Sequence, residues 1–266
     1  MKLENIPKIG LGTYQMTGEK CTNAVVEAID IGYRLIDTAQ LYRNEEDIGV
    51  ALQKSSVPRE ELILASKVWV TNLSPKRVIS STEKSLQKLK TDYLDIMYIH
   101  WPAVRYNVKK TIGAFQQLLD EGKIKAFGVS NFTPKLIDDI EKFNSIRIWG
   151  NQVEHHLLLQ QKPMRSYLEK QNMKMVAYSP LARGKVLSLP IIQELAQKYE
   201  KSPSQIALAW IMAHNVIPIP KASSKNHLKQ NFKAQEIVLT EEDMIKLDNL
   251  QIQKRLFSPP ILSPKW

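Results

Sequence analysis

Four side chains in this sequence form a set able to move a proton onto an oxygen: Asp37, Tyr42, Lys67 and His100. An aspartate beside a buried lysine keeps the lysine charged. That charge would favour the tyrosinate form of a neighbouring phenol, drawing the Tyr42 pKa down from about 10 towards the working range. His100 would orient a carbonyl oxygen by a hydrogen bond. Together these make an electrophilic pocket that protonates an oxygen as it gains charge, which carbonyl reduction requires. No side chain supplies a hydride, so a cofactor must. Each residue also has an ordinary structural reading: Asp37 as a turn cap, Lys67 as a solvated charge, His100 as a satisfied core histidine. An acid, a lysine, a tyrosine and a histidine make up the set, with no serine–histidine–acid order and no cysteine nucleophile in it to point to acyl transfer.

The set has to be positioned by the elements around it. Arg34-Leu35-Ile36 has strand character with Asp37 where it runs out, and Tyr42 follows five residues later on a loop. Asn44 reads as the N-cap of a helix to about Lys54, with acids in its first turn. Leu62 to Ser66 is an apolar strand ending at Lys67, and Tyr93 to Ile99 is another ending at His100-Trp101-Pro102. Similar strands are expected at Lys8–Tyr14, Ile124–Val129, Asn151–Glu154, Met173–Ala177 and Val216–Ile219. They deliver Ser130, Asn131, Gln152, Tyr178 and Lys221 to their ends. Helices are expected between them: Asn23 to Ile31 with Gly32 as its stop, one opened by Ser74-Pro75, Lys109 to Asp120, one after Pro134, and Pro163 to Gln171. Two more, Ile191 to Tyr199 and Pro203 to His214, precede the last strand. Lys225 to Phe232 and Glu241 to Leu250 follow it, before a proline-rich tail.

Strand ends fall near residues 13, 37, 67, 99, 129, 153, 177 and 219, a spacing of 24 to 32 residues with a final interval of 42. Eight strands separated by helices, with runs such as LILAS and DIMYI apolar on both faces, favour an α/β fold: a (β/α)8 TIM barrel, single-domain over residues 1–266, with extra C-terminal helices. An open doubly wound sheet fits less well, since Gly10 and Gly12 are not followed by the third glycine of a dinucleotide fingerprint.

The bulk composition narrows the class. The 266 residues, 43 % of them hydrophobic, are enough for a sizeable core. The one cysteine, Cys21, excludes an internal disulfide and fits a reducing compartment. No run approaches the roughly 18 apolar residues of a membrane span, and the first residues hold no apolar signal core. A soluble cytoplasmic protein is the expectation, with neither a membrane nor a metal. The net charge of +10 comes from lysines scattered among acids, not massed with aromatics, so no nucleic-acid partner is expected.

Eight ordered stretches resemble the aldo-keto reductases: GLGTY at 10–14, GYRLIDTAQLYRNEEDIG at 32–49, LILASKVW at 62–69, YLDIMYIHWP at 93–102, GVSNF at 128–132, NQVEHH at 151–156, AYSPLARG at 177–184 and IPIPKAS at 217–223. The resemblance runs from about Lys8 to Asn249. It implies that Tyr42 is the proton donor and that Asp37, Lys67 and His100 complete a catalytic tetrad. It assigns Ser130, Asn131 and Gln152 to the carboxamide of a nicotinamide cofactor and Tyr178 to stacking on its ring. Ser179 and Leu181 go to the pyrophosphate, and Lys221, Ser223, His227 and Asn231 to the adenosine end. Ser223-Ser224 before a short helix, with Lys221 beside them, suits an anion on physical grounds as well.

Three departures from the family pattern matter. His227 stands where many members carry an arginine against the adenosine 2′-phosphate. A mostly neutral imidazole without a bidentate fork implies NADPH with some NADH use. Tyr14 replaces a tryptophan, and with Trp69 and Trp101 it would wall an aromatic substrate pocket. Only about ten residues separate Trp101 from the helix near Lys110, as in the compact microbial members, among them diketogluconate and methylglyoxal reductases; a more open pocket is expected. The implied activity is NADPH-dependent reduction of aldehydes, dicarbonyls and keto sugars by a monomer. The competing reading is a cofactor-binding regulatory subunit with little turnover, disfavoured because no partner-binding extension precedes the matched region.

Overall fold

The computed structural model describes residues 3–102, 106–143 and 146–266. Eight strands run in chain order around one sheet: β1 (Leu11–Gly12), β2 (Leu35–Asp37), β3 (Ile63–Val68), β4 (Leu94–Ile99), β5 (Ile124–Ser130), β6 (Ile148–Glu154), β7 (Lys174–Tyr178) and β8 (Val216–Pro218). Each sequential neighbour pairs in parallel. The seam closes where the Gly10 amide donates to the Pro218 carbonyl at 3.0 Å and the Gly12 amide to that of Pro220 at 3.2 Å. A Cβ on Gly12 would lie 2.5 Å from the Ile219 carbonyl oxygen, so only glycine lets β1 come this close to β8.

The helices are α1 (Gly18–Ile31), α2 (Glu45–Lys54), α3 (Pro75–Leu89), α4 (Val108–Asp120), α5 (Pro134–Glu141), α6 (Lys162–Lys170), α7 (Pro190–Lys198), α8 (Pro203–Ala213), α9 (Lys225–Lys233) and α10 (Glu241–Asp248). This is the expected barrel, with α7–α8 in the long last interval and α9–α10 after β8. No helix among the described residues is long and apolar enough to cross a membrane, and no group of three or more His, Cys, Asp or Glu among them is placed to hold a metal.

The strand period of two sorts the core into two layers. Leu35, Ile63, Ala65, Ile96, Tyr98, Ala126, Val176, Ile217 and Ile219 fill the barrel interior, with Leu3 and Ile6 packed against this cluster. Their alternates, such as Leu64, Met97, Phe127 and Val129, pack outward under the helices. Side chains two apart on a strand share a face. Asp37 therefore continues the interior row of Leu35, Lys67 that of Ile63 and Ala65, His100 that of Ile96 and Tyr98, and Tyr178 that of Val176. The apolar rows carry the polar groups to the C-terminal mouth of the barrel.

Several boundaries differ from expectation. β1 is only two residues long, and α1 starts at Gly18, five residues before the expected Asn23. Gly32 does stop α1, at φ 124°. Lys67 lies inside β3, which runs on to Val68. Neither Asn44 nor Ser74 caps its helix with its side chain. Residues 103–105, part of the short loop expected after Trp101, lie outside the described residues.

Candidate active site

Asp37 and Lys67 meet inside the barrel mouth, where both are at most 2 % exposed. Lys67 Nζ donates to Asp37 Oδ1 at 2.5 Å and to the Thr38 carbonyl at 2.7 Å, and Gln152 Nε2 donates to Asp37 Oδ2 at 2.7 Å. Burial pushes the carboxyl up and the ammonium down from their ordinary values, and their contact opposes both shifts. With further hydrogen bonds on each partner, the ion pair is the form this geometry holds. The ammonium spends two of its three N–H groups on these bonds, and its nitrogen sits 5.1 Å from the centre of the Tyr42 ring.

Tyr42 ends a single 3-10 turn, Gln40–Tyr42, and stays half-buried. Its ring lies in a row of aromatics: Tyr14 at 5.0 Å, His100 at 5.7 Å edge-on, then Trp69 at 5.2 Å from His100. The Gln40 side-chain oxygen holds this edge in place by accepting from the Trp69 amide and from Asn72 Nδ2. Trp101 is buried directly after His100, and the described ring pairs do not join it to the row.

The expected lowering of the Tyr42 pKa is corrected by this arrangement. Its pKa is raised well above the ordinary phenol value, by burial first and then by the charge of Asp37. Lys67 turns its charge to Asp37 and Thr38, so the phenol faces a neutralised pair and keeps its proton. His100 is held neutral, its pKa pushed well below the ordinary imidazole value by burial and then by Lys67. Its Nδ1 is buried without a partner, a worse place for an N–H than for a lone pair, which puts the ring proton on Nε2.

On the other side of the mouth, Ser130 ends β5, Asn131 follows it, and Gln152 lies near the end of β6, all buried. Ser130 Oγ donates to the Gln152 carbonyl at 2.8 Å, and Asn131 Nδ2 donates to the His100 carbonyl and to Ser130 Oγ, each at 3.0 Å. Tyr178 OH donates to Asn131 Oδ1 at 2.8 Å, so this carboxamide links the β7 end to the β4 end. Ser179 and Ala182 take left-handed backbone with φ 48°, Arg183 with φ 54°, and Leu181 packs half-buried between them. Lys221 is exposed beyond β8. Ser224, not Ser223, caps α9, accepting from the His227 amide at 3.3 Å. His227 is exposed in the first turn and Asn231 is buried one turn on. Lys221, Ser223, His227 and Asn231 thus lie between the end of β8 and the second turn of α9.

Four contributors escaped the reading of the sequence. The Thr38 carbonyl is a Lys67 partner, and Gln40 fixes Trp69; both sit between Asp37 and Tyr42, where a loop of that length needs internal bonds. Glu154 and Phe257 also reach the mouth. The Phe257 ring stands edge-on to Tyr178 at 5.6 Å, and aromatics among the tail prolines are the signal that the tail packs.

The chain matches known proteins along nearly its whole length. Residues 8–252 match the sequence profile of the aldo/keto reductase family. A glyoxal reductase of Bacillus subtilis (strain 168) is 38 % identical over 264 residues, covering 98 % of this chain and 95 % of the relative. A methylglyoxal reductase of Escherichia coli O157:H7 is 37 % identical, covering 98 % and 99 %. The solved structure of a putative 2,5-diketo-D-gluconic acid reductase B superposes with a TM-score of 0.95 at 34 % identity, covering 98 % of this chain and 94 % of that one. With the barrel, the ordered motifs and these relatives in agreement, the chain belongs to the aldo/keto reductase family and is an oxidoreductase of carbonyl compounds.

Proposed function

We propose that this enzyme is an NADPH-dependent reductase of aldehydes and activated ketones, with small dicarbonyls as its first substrates and keto sugars as a second class. The observation that carries this reading is the buried Asp37–Lys67 pair beneath a protonated Tyr42, with neutral His100 alongside. His100 Nε2–H and Tyr42 O–H are the two donors of the group able to face a carbonyl oxygen. As that oxygen gains charge, Tyr42 gives up its proton. The Lys67 ammonium, held 5.1 Å from the ring, steadies the phenolate that results. Asp37 keeps Lys67 charged and in place and takes no proton itself.

The residues at the mouth fit a nicotinamide dinucleotide by their chemistry. Buried hydroxyl and amide groups that accept and donate suit a carboxamide, and Ser130, Asn131 and Gln152 would hold it beside Tyr178. The loop of Ser179 and Leu181 would meet the pyrophosphate. The amino end of α9 has no acid in its first turn and carries Lys221, Ser223, His227 and Asn231 for the adenosine end. When bound, the reduced nicotinamide supplies the hydride. His227 offers no bidentate fork to a 2′-phosphate, so NADPH preference over NADH should be modest, and His227→Arg should widen it. The same reading takes the enzyme as a monomer in the cytoplasm, where the free, buried Cys21 stays reduced.

A panel of aldehydes, dicarbonyls and keto sugars assayed with both cofactors tests the proposal. Turnover of glyoxal or methylglyoxal with a kcat/KM higher for NADPH than for NADH is expected. Equal or better use of NADH would reject the cofactor assignment, and no turnover of any carbonyl would leave a regulatory cofactor-binding role.

A further inference from the structure

Glu154 is fully buried, yet the tetrad does not use it. It ends β6 in register with Tyr178 on β7. A carboxylate taken out of water needs its lone pairs filled. Here the Leu256 amide donates to Oε1 at 2.7 Å, the Phe257 amide donates to Oε2 at 2.9 Å, and His156 Nε2 lies 2.9 Å from Oε1. Two of these three partners are backbone groups about a hundred residues away in the tail beyond α10.

The tail is fixed around that point. The Lys254 amide donates to the Leu158 carbonyl at 2.6 Å. The Arg255 guanidinium lies 3.6 Å over the ring of Trp266. Phe257 stands edge-on to Tyr178 at 5.6 Å, and the Arg183 guanidinium covers the Phe257 ring at 4.4 Å. Arg183 comes from the left-handed loop that follows β7. A closed circuit results: Glu154 grips the tail, the tail carries Phe257, and Phe257 joins Tyr178 to the β7 loop. Tyr178 is thereby held at two places, by Phe257 on its edge and by Asn131 at its hydroxyl.

We propose that Glu154 is a positioning residue, latching Leu256 and Phe257 across the barrel mouth so that Phe257 and Arg183 clasp Tyr178 and the adjoining loop over the nicotinamide end of the cofactor. The clasp rests on the cofactor reading above; the latch does not.

The two parts are tested separately. In the free protein, hydrogen exchange of the peptide holding Leu256 and Phe257 reads the latch. Glu154→Gln turns an amide N–H₂ towards one of the two tail amides and should speed exchange at least tenfold. Leu256→Pro removes one donor from the tail side without touching the buried carboxylate, and it should speed exchange at Phe257 even if the Glu154 variant fails to fold. Unchanged exchange in Leu256→Pro, or in a folded Glu154→Gln, would overturn the latch. Stopped-flow displacement of bound NADPH reads the clasp. Phe257→Ala and Arg183→Ala should release the cofactor about five- to twentyfold faster, raising KM for NADPH while kcat holds or rises. Wild-type release rates from Phe257→Ala and Arg183→Ala would overturn it, whatever happens to the melting temperature. A wild-type protein that binds no NADPH would remove the cofactor reading and the clasp with it, while the exchange result still decides the latch.

Discussion

At the scale of single residues, the meeting of Asp37, Lys67 and His100 at the barrel mouth was legible because it rests on a period of two. Asp37, Lys67 and His100 extend apolar rows whose direction is set by strand geometry. The sign of the Tyr42 shift was not legible. It depends on whether the phenol feels Lys67 or Asp37 more, and the Lys67 bonds to Asp37 and Thr38 decide that in space. Two predictions follow from these charges. Lys67→Met would strand the buried Asp37 charge, costing about 3–5 kcal/mol in urea unfolding at pH 7 as well as turnover; a loss under 1 kcal/mol would mean the pair is not ionised. The reductive rate should also stay level between about pH 6.5 and 9. Tyr42, with its pKa raised, keeps its proton as pH rises through this window, and His100, with its pKa lowered, stays neutral as pH falls through it. A rate at saturating substrate that halves within that window would contradict these assignments.

At the scale of elements, the helices and strands followed apolar periodicity closely, and the failures lie where tertiary partners outcompete local ones. Asn44 has the residue type and position of an N-cap. Its side chain instead donates to the carbonyls of Thr13 and Met16, each at 2.9 Å, and accepts from Thr38 Oγ1 at 2.7 Å. It ties the β1 loop, which carries Tyr14, to the β2 loop, which carries Tyr42. A pure cap would tolerate aspartate. Asn44→Asp should instead destabilise at least as much as Asn44→Ala, about 1–3 kcal/mol for each buried group left unpaired, because a carboxylate would face two carbonyl oxygens. Thermal unfolding checks this, and an aspartate variant as stable as wild type would restore the cap. The tail failed to show itself for a related reason: its bonds run from backbone amides to Glu154, and main-chain donors leave no mark on a sequence.

At the scale of the whole molecule, eight strand ends converge because the barrel closes, and closure depends on glycine at the β1–β8 seam. The fold could be inferred from spacing alone; the grouping of the site into an Asp37–Tyr42 side and a Ser130–Tyr178 side needed the closed sheet. The molecule also buries two neutral histidines, His100 and His155, both with pKa pushed well below 6.5, first by burial. Unfolding frees them to bind protons. The stability they contribute is complete above about pH 6.5 and falls as pH drops towards their lowered folded values, by about 1.4 kcal/mol per pH unit for each histidine. Urea midpoints at pH 7.5 and 5 should therefore separate clearly, and coincident midpoints would mean that neither ring is buried neutral. The central claim is that Tyr42 delivers the proton to a carbonyl oxygen. Its most direct test is Tyr42→Phe, which keeps the ring packing against Tyr14 and His100 and removes only the hydroxyl. Single-turnover NADPH oxidation with methylglyoxal should slow by about 10²–10⁴-fold, with the NADPH dissociation constant within twofold of wild type. A variant retaining more than a tenth of the wild-type rate would contradict the account.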